Sequence, residues 1–253
     1  MLEVNNVTKS FGGINAVAEC SLVVARGSIT GLIGPNGAGK TTLFNLVTGH
    51  YKPDKGRILF QGQRIDGLRP DQVFKQKIYR TFQITREFAQ MTVLENLMLI
   101  PPFQAGEKIW NTWFRLNTVK EQETRLQEKA LEVLAFVELL ELKDEYAGSL
   151  SGGQKKLLEL ARSMMAEPQL VLLDEPGAGV NPTLMRKLTA NIRRLCREQR
   201  ITFFLIEHDM DLVMELCNPV IVMSEGKKLM EGTPREVRHD ERVLEAYLGG
   251  QYR

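Results

Sequence analysis

One segment constrains the fold more than any other, Gly34-Pro35-Asn36-Gly37-Ala38-Gly39-Lys40-Thr41: two glycines with four residues between them, then Lys and a hydroxyl residue. Ile29 to Ile33 enters it as a compact apolar strand, and Lys40 to Thr48 leaves it as a helix with Gly49 as C-cap. A strand, loop and helix in this order aim consecutive backbone N–H groups and a helix N-terminus at one point, where they can surround a phosphate. Glycine lets the backbone come close with no Cβ in the way. Gly34, Asn36, Gly37, Ala38, Gly39, Lys40, Thr41 and Thr42 are therefore candidate nucleotide contacts. Lys40 is expected to reach the β- and γ-phosphates and the Thr41 hydroxyl to bind Mg²⁺. This loop alone does not separate a kinase, a GTPase and an ATPase.

A second constraint is Leu170-Val171-Leu172-Leu173 ending in Asp174-Glu175-Pro176, which puts two carboxylates at the C-terminal edge of a parallel sheet, where such sheets bind ligands. Asp174 is expected to hold Mg²⁺ through water, and Glu175 to take a proton from the attacking water. Strands at Gln169 to Leu173, Ile201 to Ile206 and Val220 to Met223, with a helix between the first two, imply an α/β chain with a parallel sheet. Upstream, Leu2 to Val7 and Ser21 to Ala25 read as short β segments flanking the turn Phe11-Gly12-Gly13. Gly56 to Phe60 and Arg64-Ile65 read as a hairpin through Gln61-Gly62-Gln63. From about Ile84 to Met165 the texture is helical, most clearly over Val119 to Lys143, where Leu126, Ala130, Leu134, Val137 and Leu140 recur at helical spacing. Pro101-Pro102 breaks that stretch, and the segment to Thr118, with Trp110, Trp113 and Phe114, reads as an excursion whose aromatic rings serve local packing ahead of contact with a partner.

Composition excludes several classes. Among 253 residues, 33 Lys and Arg against 31 Asp and Glu leave a net charge of +2, so bulk charge calls for neither nucleic acid nor an anionic lipid surface. No apolar run approaches the ~18 residues that a membrane span needs. Met1-Leu2-Glu3-Val4-Asn5 lacks the basic and apolar regions of a signal peptide, so the cytosol is the expected compartment. Cys20, Cys196 and Cys217 lack metal-ligand spacing and read as buried or partly buried structural thiols.

At Leu150-Ser151-Gly152-Gly153-Gln154 the chain resembles the signature motif of ABC ATPases. The same residues also spell a capping box that starts a helix, and a capped helix N-terminus with two glycines in its first turn is itself an anion site. Further matches to the family follow in its order. Phe11 sits where an aromatic ring usually stacks on adenine, with Val17 as a further apolar contact; Gln83, in Arg80-Thr81-Phe82-Gln83, resembles the glutamine that approaches Mg²⁺ and the attacking water; His208, in Ile206-Glu207-His208-Asp209, resembles the switch histidine at the γ-phosphate. Asn181, in Ala178-Gly179-Val180-Asn181-Pro182, stands where the family most often has Asp. Asn there, Met91-Thr92-Val93-Leu94-Glu95-Asn96, Glu-His-Asp-Met at 207–210 and the ending Tyr247-Leu248-Gly249 resemble the branched-chain amino-acid uptake branch.

The resemblance implies a P-loop NTPase (RecA-like) fold: a mostly parallel sheet core with an N-terminal antiparallel β subdomain and an inserted α-helical subdomain. Its expected bounds are 1–83 and 166–253 for the catalytic core and 84–165 for the helical subdomain, within one ABC ATPase domain over 1–253. It also implies ATP and Mg²⁺ as ligands, with Ser151, Gly152, Gly153 and Gln154 completing the site on the opposite subunit of a dimer, either a copy or a paralogue. Transmembrane permease subunits and a solute-binding protein would be further partners, at the cytoplasmic face of the cell membrane, with no nucleic acid. The ATPase of a lipid or lipopolysaccharide export complex remains the alternative.

Overall fold

The computed structural model describes residues 1–81, 87–102, 104–107, 110, 113 and 116–249. The chain divides into two compact units: Met1–Gln83 with Gln169–Ala178 and Ile192–Arg253, and Ile84–Pro168 with Gly179–Asn191. The strands, all in the first unit, are β1 (Leu2–Phe11), β2 (Ile14–Val24), β3 (Ile29–Ile33), β4 (Lys55–Phe60), β5 (Gln63–Arg64), β6 (Ile78–Arg80), β7 (Leu170–Asp174), β8 (Thr202–Ile206), β9 (Val220–Ser224) and β10 (Lys227–Gly232). They form an antiparallel sheet in the order β2-β1-β4-β5 and a second sheet in the order β10-β9-β3-β8-β7-β6, parallel except for β10. Every residue of β7 and β8 is buried, which explains their unbroken apolar reading.

The order of the second sheet positions the site. The C-terminal ends of β3, β8 and β7 lie side by side, so the glycine-rich loop after β3, the Glu207-His208 pair after β8 and the Asp174-Glu175 pair at the end of β7 share one edge. Helix α1 (Lys40–Val47) leaves the loop and packs Phe44 on Phe204 of β8, ring centroids 5.1 Å apart. Such a pair contributes ~0.5–1.5 kcal/mol beyond its buried area. Gly49 follows α1 with φ 76°, the left-handed conformation expected of it.

Several boundaries differ from the sequence reading. β1 and β2 are far longer than Leu2 to Val7 and Ser21 to Ala25, because register shifts along their pairing break the strict alternation by which a strand is recognised. The hairpin turn is Gln61-Gly62 alone, both at positive φ, and Gln63 already pairs with Phe60. β6 is only three residues long, and β10 returns antiparallel along β9 through Glu225-Gly226, both again at positive φ; the sequence pattern marks neither strand. α2 (Pro70–Lys75) precedes β6.

The second unit is helical, with α3 (Val93–Met98), α4 (Leu116–Phe136) and α5 (Gly152–Met165) packed on one another. α4 stops at Phe136 rather than continuing to Lys143. Glu138 adopts φ 60°, and the N–H of Leu139 turns back to the carbonyl of Leu134 at 2.8 Å. Both α3 and α5 begin with capping boxes, Thr92 with Glu95 and Ser151 with Gln154. Asn96 is wholly buried yet satisfied: its amide accepts from the N–H of Phe88 at 2.9 Å and donates to the carbonyls of Phe88 and Thr92.

α6 (Pro182–Gln199) begins at Asn181, whose side-chain oxygen accepts the N–H of Leu184 at 3.0 Å while Pro182 takes the first helical position. Asn is thus a helix cap at the position where Asp is more usual, and it accepts the bond without charge. Asn181→Ala should lower the unfolding free energy by about 1 kcal/mol, and Asn181→Asp should restore or exceed the original value through the helix dipole. Chemical denaturation of the three proteins checks this; an alanine variant as stable as the parent would refute the capping role.

The remaining helices, α7 (Met210–Leu216), α8 (Pro234–His239) and α9 (Glu241–Gly249), belong to the first unit. Cys20 and Cys217 are buried and Cys196 partly so, as expected, and burial pushes the Cys20 thiol up to about 11 and the Cys217 thiol up to about 12.

Candidate functional site

A cavity of about 580 Å³ opens at the shared sheet edge. Residues 36–42 line it, together with Glu175, His208, Glu225 and Ile14 to Ala16. The glycine-rich loop forms its floor because the backbone is pressed against neighbouring strands. A Cβ on Gly34, at φ 149°, would lie 2.1 Å from the carbonyl oxygen of Met223, and one on Gly39, at φ 95°, would lie 2.2 Å from that of Ala16. No side chain fits at either position. The turn between β9 and β10 locks the arrangement, its Gly226 accepting from the N–H of Ala18 and donating to the carbonyl of Ala38.

Lys40 is almost fully buried, and its ammonium donates to the carbonyls of Gly34 at 2.7 Å and Pro35 at 3.0 Å. Burial pulls its pKa down, and the neighbouring Glu175 and Asp174 partly oppose that. A cation kept in this floor by its own loop is suited to an anionic ligand. Glu175 stands at the cavity wall with φ 49°, and its carboxylate lies 2.8 Å from Nε2 of His208. The cavity thus brings together Asn36, Gly37, Ala38, Gly39, Lys40, Thr41, Thr42, Glu175 and His208.

Other expected residues lie elsewhere. Val17 is fully buried in the core and cannot meet a ligand, which corrects the expectation of an apolar contact there. Val17 points inward, while Ala16 and Ile14, the latter 74% exposed, line the cavity together with Asn15, where the pairing of β2 with β1 shifts register. Phe11 stands outside the lining, half exposed, with its ring edge-to-face against Tyr51 at 5.1 Å. Gln83 lies outside the described residues. Ser151 to Gln154 belong to the second unit, where the Ser151 hydroxyl accepts the N–H of Gln154 and the Gln154 amide accepts that of Ser151 at 2.9 Å. Gly153 packs closely on Leu184, since a Cβ would fall 2.3 Å from the tip of that side chain.

Two buried charged residues were not singled out in the sequence. Arg80, at the end of β6, forms an ion pair with Asp174 at 2.8 Å, donates to Asn45 of α1 and lies over the Phe44 ring. Glu207 is buried between the cavity-facing loops, and burial pushes its carboxyl above the ordinary range against the pull of backbone N–H groups from Gly177, His208 and Asp209. Both enter the sequence reading only as members of motifs, Arg80 of the one around Gln83 and Glu207 of the one around His208. Asp209 caps α7 through the N–H groups of Asp211 and Leu212.

A parallel sheet with this loop and carboxylate pair at its edge defines a P-loop nucleoside triphosphatase. The family profile described as ABC transporter matches residues 17–178, and one described as branched-chain amino acid ATP-binding cassette transporter matches residues 227–253. The high-affinity branched-chain amino acid transport ATP-binding protein BraF of Pseudomonas aeruginosa is 40% identical over 249 residues, 98% of each chain. The probable branched-chain amino acid transport ATP-binding protein LivG of Archaeoglobus fulgidus is 39% identical over 255 residues, 99% of this chain and 96% of that protein. Among solved structures, the ADP conformation of MJ1267, an ATP-binding cassette of an ABC transporter, superposes with a TM-score of 0.84 at 37% identity, over 98% of each chain. The chain belongs to the ABC transporter ATP-binding family. It is an ATPase coupled to transport, and no helix among its described residues is long and apolar enough to cross a membrane.

Proposed function

We propose that this ATPase powers import of branched-chain amino acids, as one of two cassettes bound to transmembrane permease subunits at the cytoplasmic face of the membrane. Near-full-length likeness to relatives named for branched-chain amino acid transport supports the substrate class. The single observation that carries the chemistry is the cavity that gathers Lys40, Thr41, Glu175 and His208 at one sheet edge. A solute-binding protein would deliver the amino acid on the other side.

In this reading the N–H groups of Gly37 to Lys40 and the Lys40 ammonium hold the phosphates of ATP, and Ile14 and Ala16 offer the apolar wall that Val17 does not. Thr41 and Asp174, with Gln83, would hold Mg²⁺, a cation that favours a hydroxyl and one or two carboxylates beside phosphate oxygens. That ion would neutralise charge between the β- and γ-phosphates. Glu175 accepts the proton of the attacking water, and His208, bonded to it, fixes its carboxylate. The catalytic core is read as residues 1–83 together with 166–253. The helical subdomain, 84–165, presents Ser151 to Gln154 to nucleotide on the partner cassette.

Lys40→Ala should weaken ATP binding by roughly 10- to 100-fold, the equivalent of losing a charged hydrogen bond of ~1.5–3 kcal/mol. Equilibrium binding of a fluorescent ATP analogue to the full-length chain measures it, and unchanged affinity would remove Lys40 from the site. For the transport reading, the cassette co-purified with its membrane chains and reconstituted into vesicles should drive ATP-dependent uptake of leucine, isoleucine or valine. Uptake of none of them would reject the substrate class.

A further inference from the structure

The Glu175–His208 pair joins two loops that follow different strands, so some group must hold those loops at one spacing. Glu207 spans them. Its Oε1 accepts the N–H of Gly177 at 2.7 Å, in the loop after β7, and its Oε2 accepts the N–H groups of His208 at 3.1 Å and Asp209 at 3.5 Å, in its own loop. Its side chain is buried, with the residue only 3% exposed, and bonds between a carboxylate and N–H groups in such surroundings are stronger than neutral ones. The loop it grips is also the one under strain. Glu175 is a non-glycine residue at φ 49°, a conformation that persists only where its surroundings over-determine it. Within that loop the N–H of Ala178 returns to the carbonyl of Glu175, which closes the turn but ties it to nothing outside. The N–H of Glu175 bonds to the carbonyl of Ile206 at the strand end, and Glu207 adds the tie beyond it, at the tip of the turn.

We infer that Glu207 is a positioning residue for ATP hydrolysis, whose two carboxylate oxygens clamp the loop after β7 to the loop after β8 and so set the Glu175–His208 geometry. This rests on the reading of Glu175 and His208 as the hydrolytic pair. Both oxygens are needed. Glutamine keeps one acceptor and turns an NH₂ group toward backbone N–H groups that cannot accept from it, so one side of the clamp opens; aspartate keeps two acceptors on a shorter stem. Because the phosphate-binding loop follows a different strand, loosening the clamp acts on turnover and not on nucleotide affinity.

The test uses the full-length chain with Glu207→Gln, Glu207→Asp, Glu175→Gln and His208→Ala, alone and combined. Glu207→Gln should lower kcat by about 10- to 100-fold, as a displacement of an ångström or less can do, with the KM for ATP within about twofold of the parent. Glu207→Asp should recover part of the loss. Added to His208→Ala, Glu207→Gln should cost little more, since the geometry it maintains is already gone. Normal kcat in Glu207→Gln, or a full additional loss in the His208→Ala background, overturns the clamp while leaving the hydrolytic pair intact. If Glu207→Gln does not fold, Glu207→Asp carries the test, and an aspartate variant with unchanged kcat also overturns it. Normal hydrolysis by both Glu175→Gln and His208→Ala would instead overturn the pair, and the clamp with it.

Discussion

Glu175→Gln should retain ATP binding and lose turnover by roughly 10²-fold or more, the range that a positioned general base contributes. The substitution keeps the shape of the side chain and can still bond to Nε2 of His208, which stands 2.8 Å from the carboxylate. Binding should survive because the phosphate-holding groups, the N–H groups of the loop and the Lys40 ammonium, are set by Gly34, Gly39 and α1 and not by Glu175. An amide lacks the basicity to take a proton from water, so the loss falls on kcat. Phosphate release at saturating ATP, measured beside equilibrium nucleotide affinity, separates the two. A variant that hydrolyses ATP at a near-normal rate would show that another group is the base. If ATP holds two cassettes together, the same variant should also accumulate as a dimer with ATP, visible by size-exclusion chromatography.

The parts of the fold that the sequence revealed are those where one local rule governs. β3 was readable to the residue because a short apolar run meets a loop of fixed glycine spacing. The loop itself was readable because backbone contacts with Met223 and Ala16 leave no room for a side chain at Gly34 and Gly39. The N-terminus of α5 was readable because Ser151 and Gln154 satisfy each other within four residues. What stayed hidden depends on partners distant in sequence. Val17 and Ala16 are both small and apolar, and only the register of β2 decides which faces the core. β6 forms because Ile78, Tyr79 and Arg80 find β7, more than ninety residues on, and three residues show no periodicity of their own. Glu207 reads as an acid before a histidine until the N–H of Gly177 is placed against it. The consecutive residues Glu207, His208 and Asp209 serve three ends: a tie between loops, a partner for Glu175 and a cap for α7. A motif match credits only the second.

Arg80 is where the stability of the core and the chemistry of the site meet. Its guanidinium pairs with Asp174, and both side chains are only 8% exposed. It also donates to Asn45 at 2.6 Å and lies 5.6 Å over the Phe44 ring, so one side chain links β6, α1 and the end of β7. Burying an ion pair gives little net stability, because desolvation offsets the attraction. Removing one partner is different, since the other charge is left buried without the group that pairs with it, at ~3–5 kcal/mol. Arg80→Ala should therefore lower the melting temperature by roughly 6–20 °C, at ~2–4 °C per kcal/mol for a chain of this size. Arg80→Lys should recover only part of the loss, because an ammonium cannot offer the planar fork that reaches Asp174 and Asn45 together. The deciding comparison is with Asp174→Asn. If the penalty comes from an orphaned carboxylate, Arg80→Ala should cost much less in the Asp174→Asn background than in the parent, and a double-mutant cycle in thermal denaturation reads the difference. Equal costs in both backgrounds would assign Arg80 to packing on Phe44 and bonding to Asn45 instead, and Asp174 would then be held by the sheet alone.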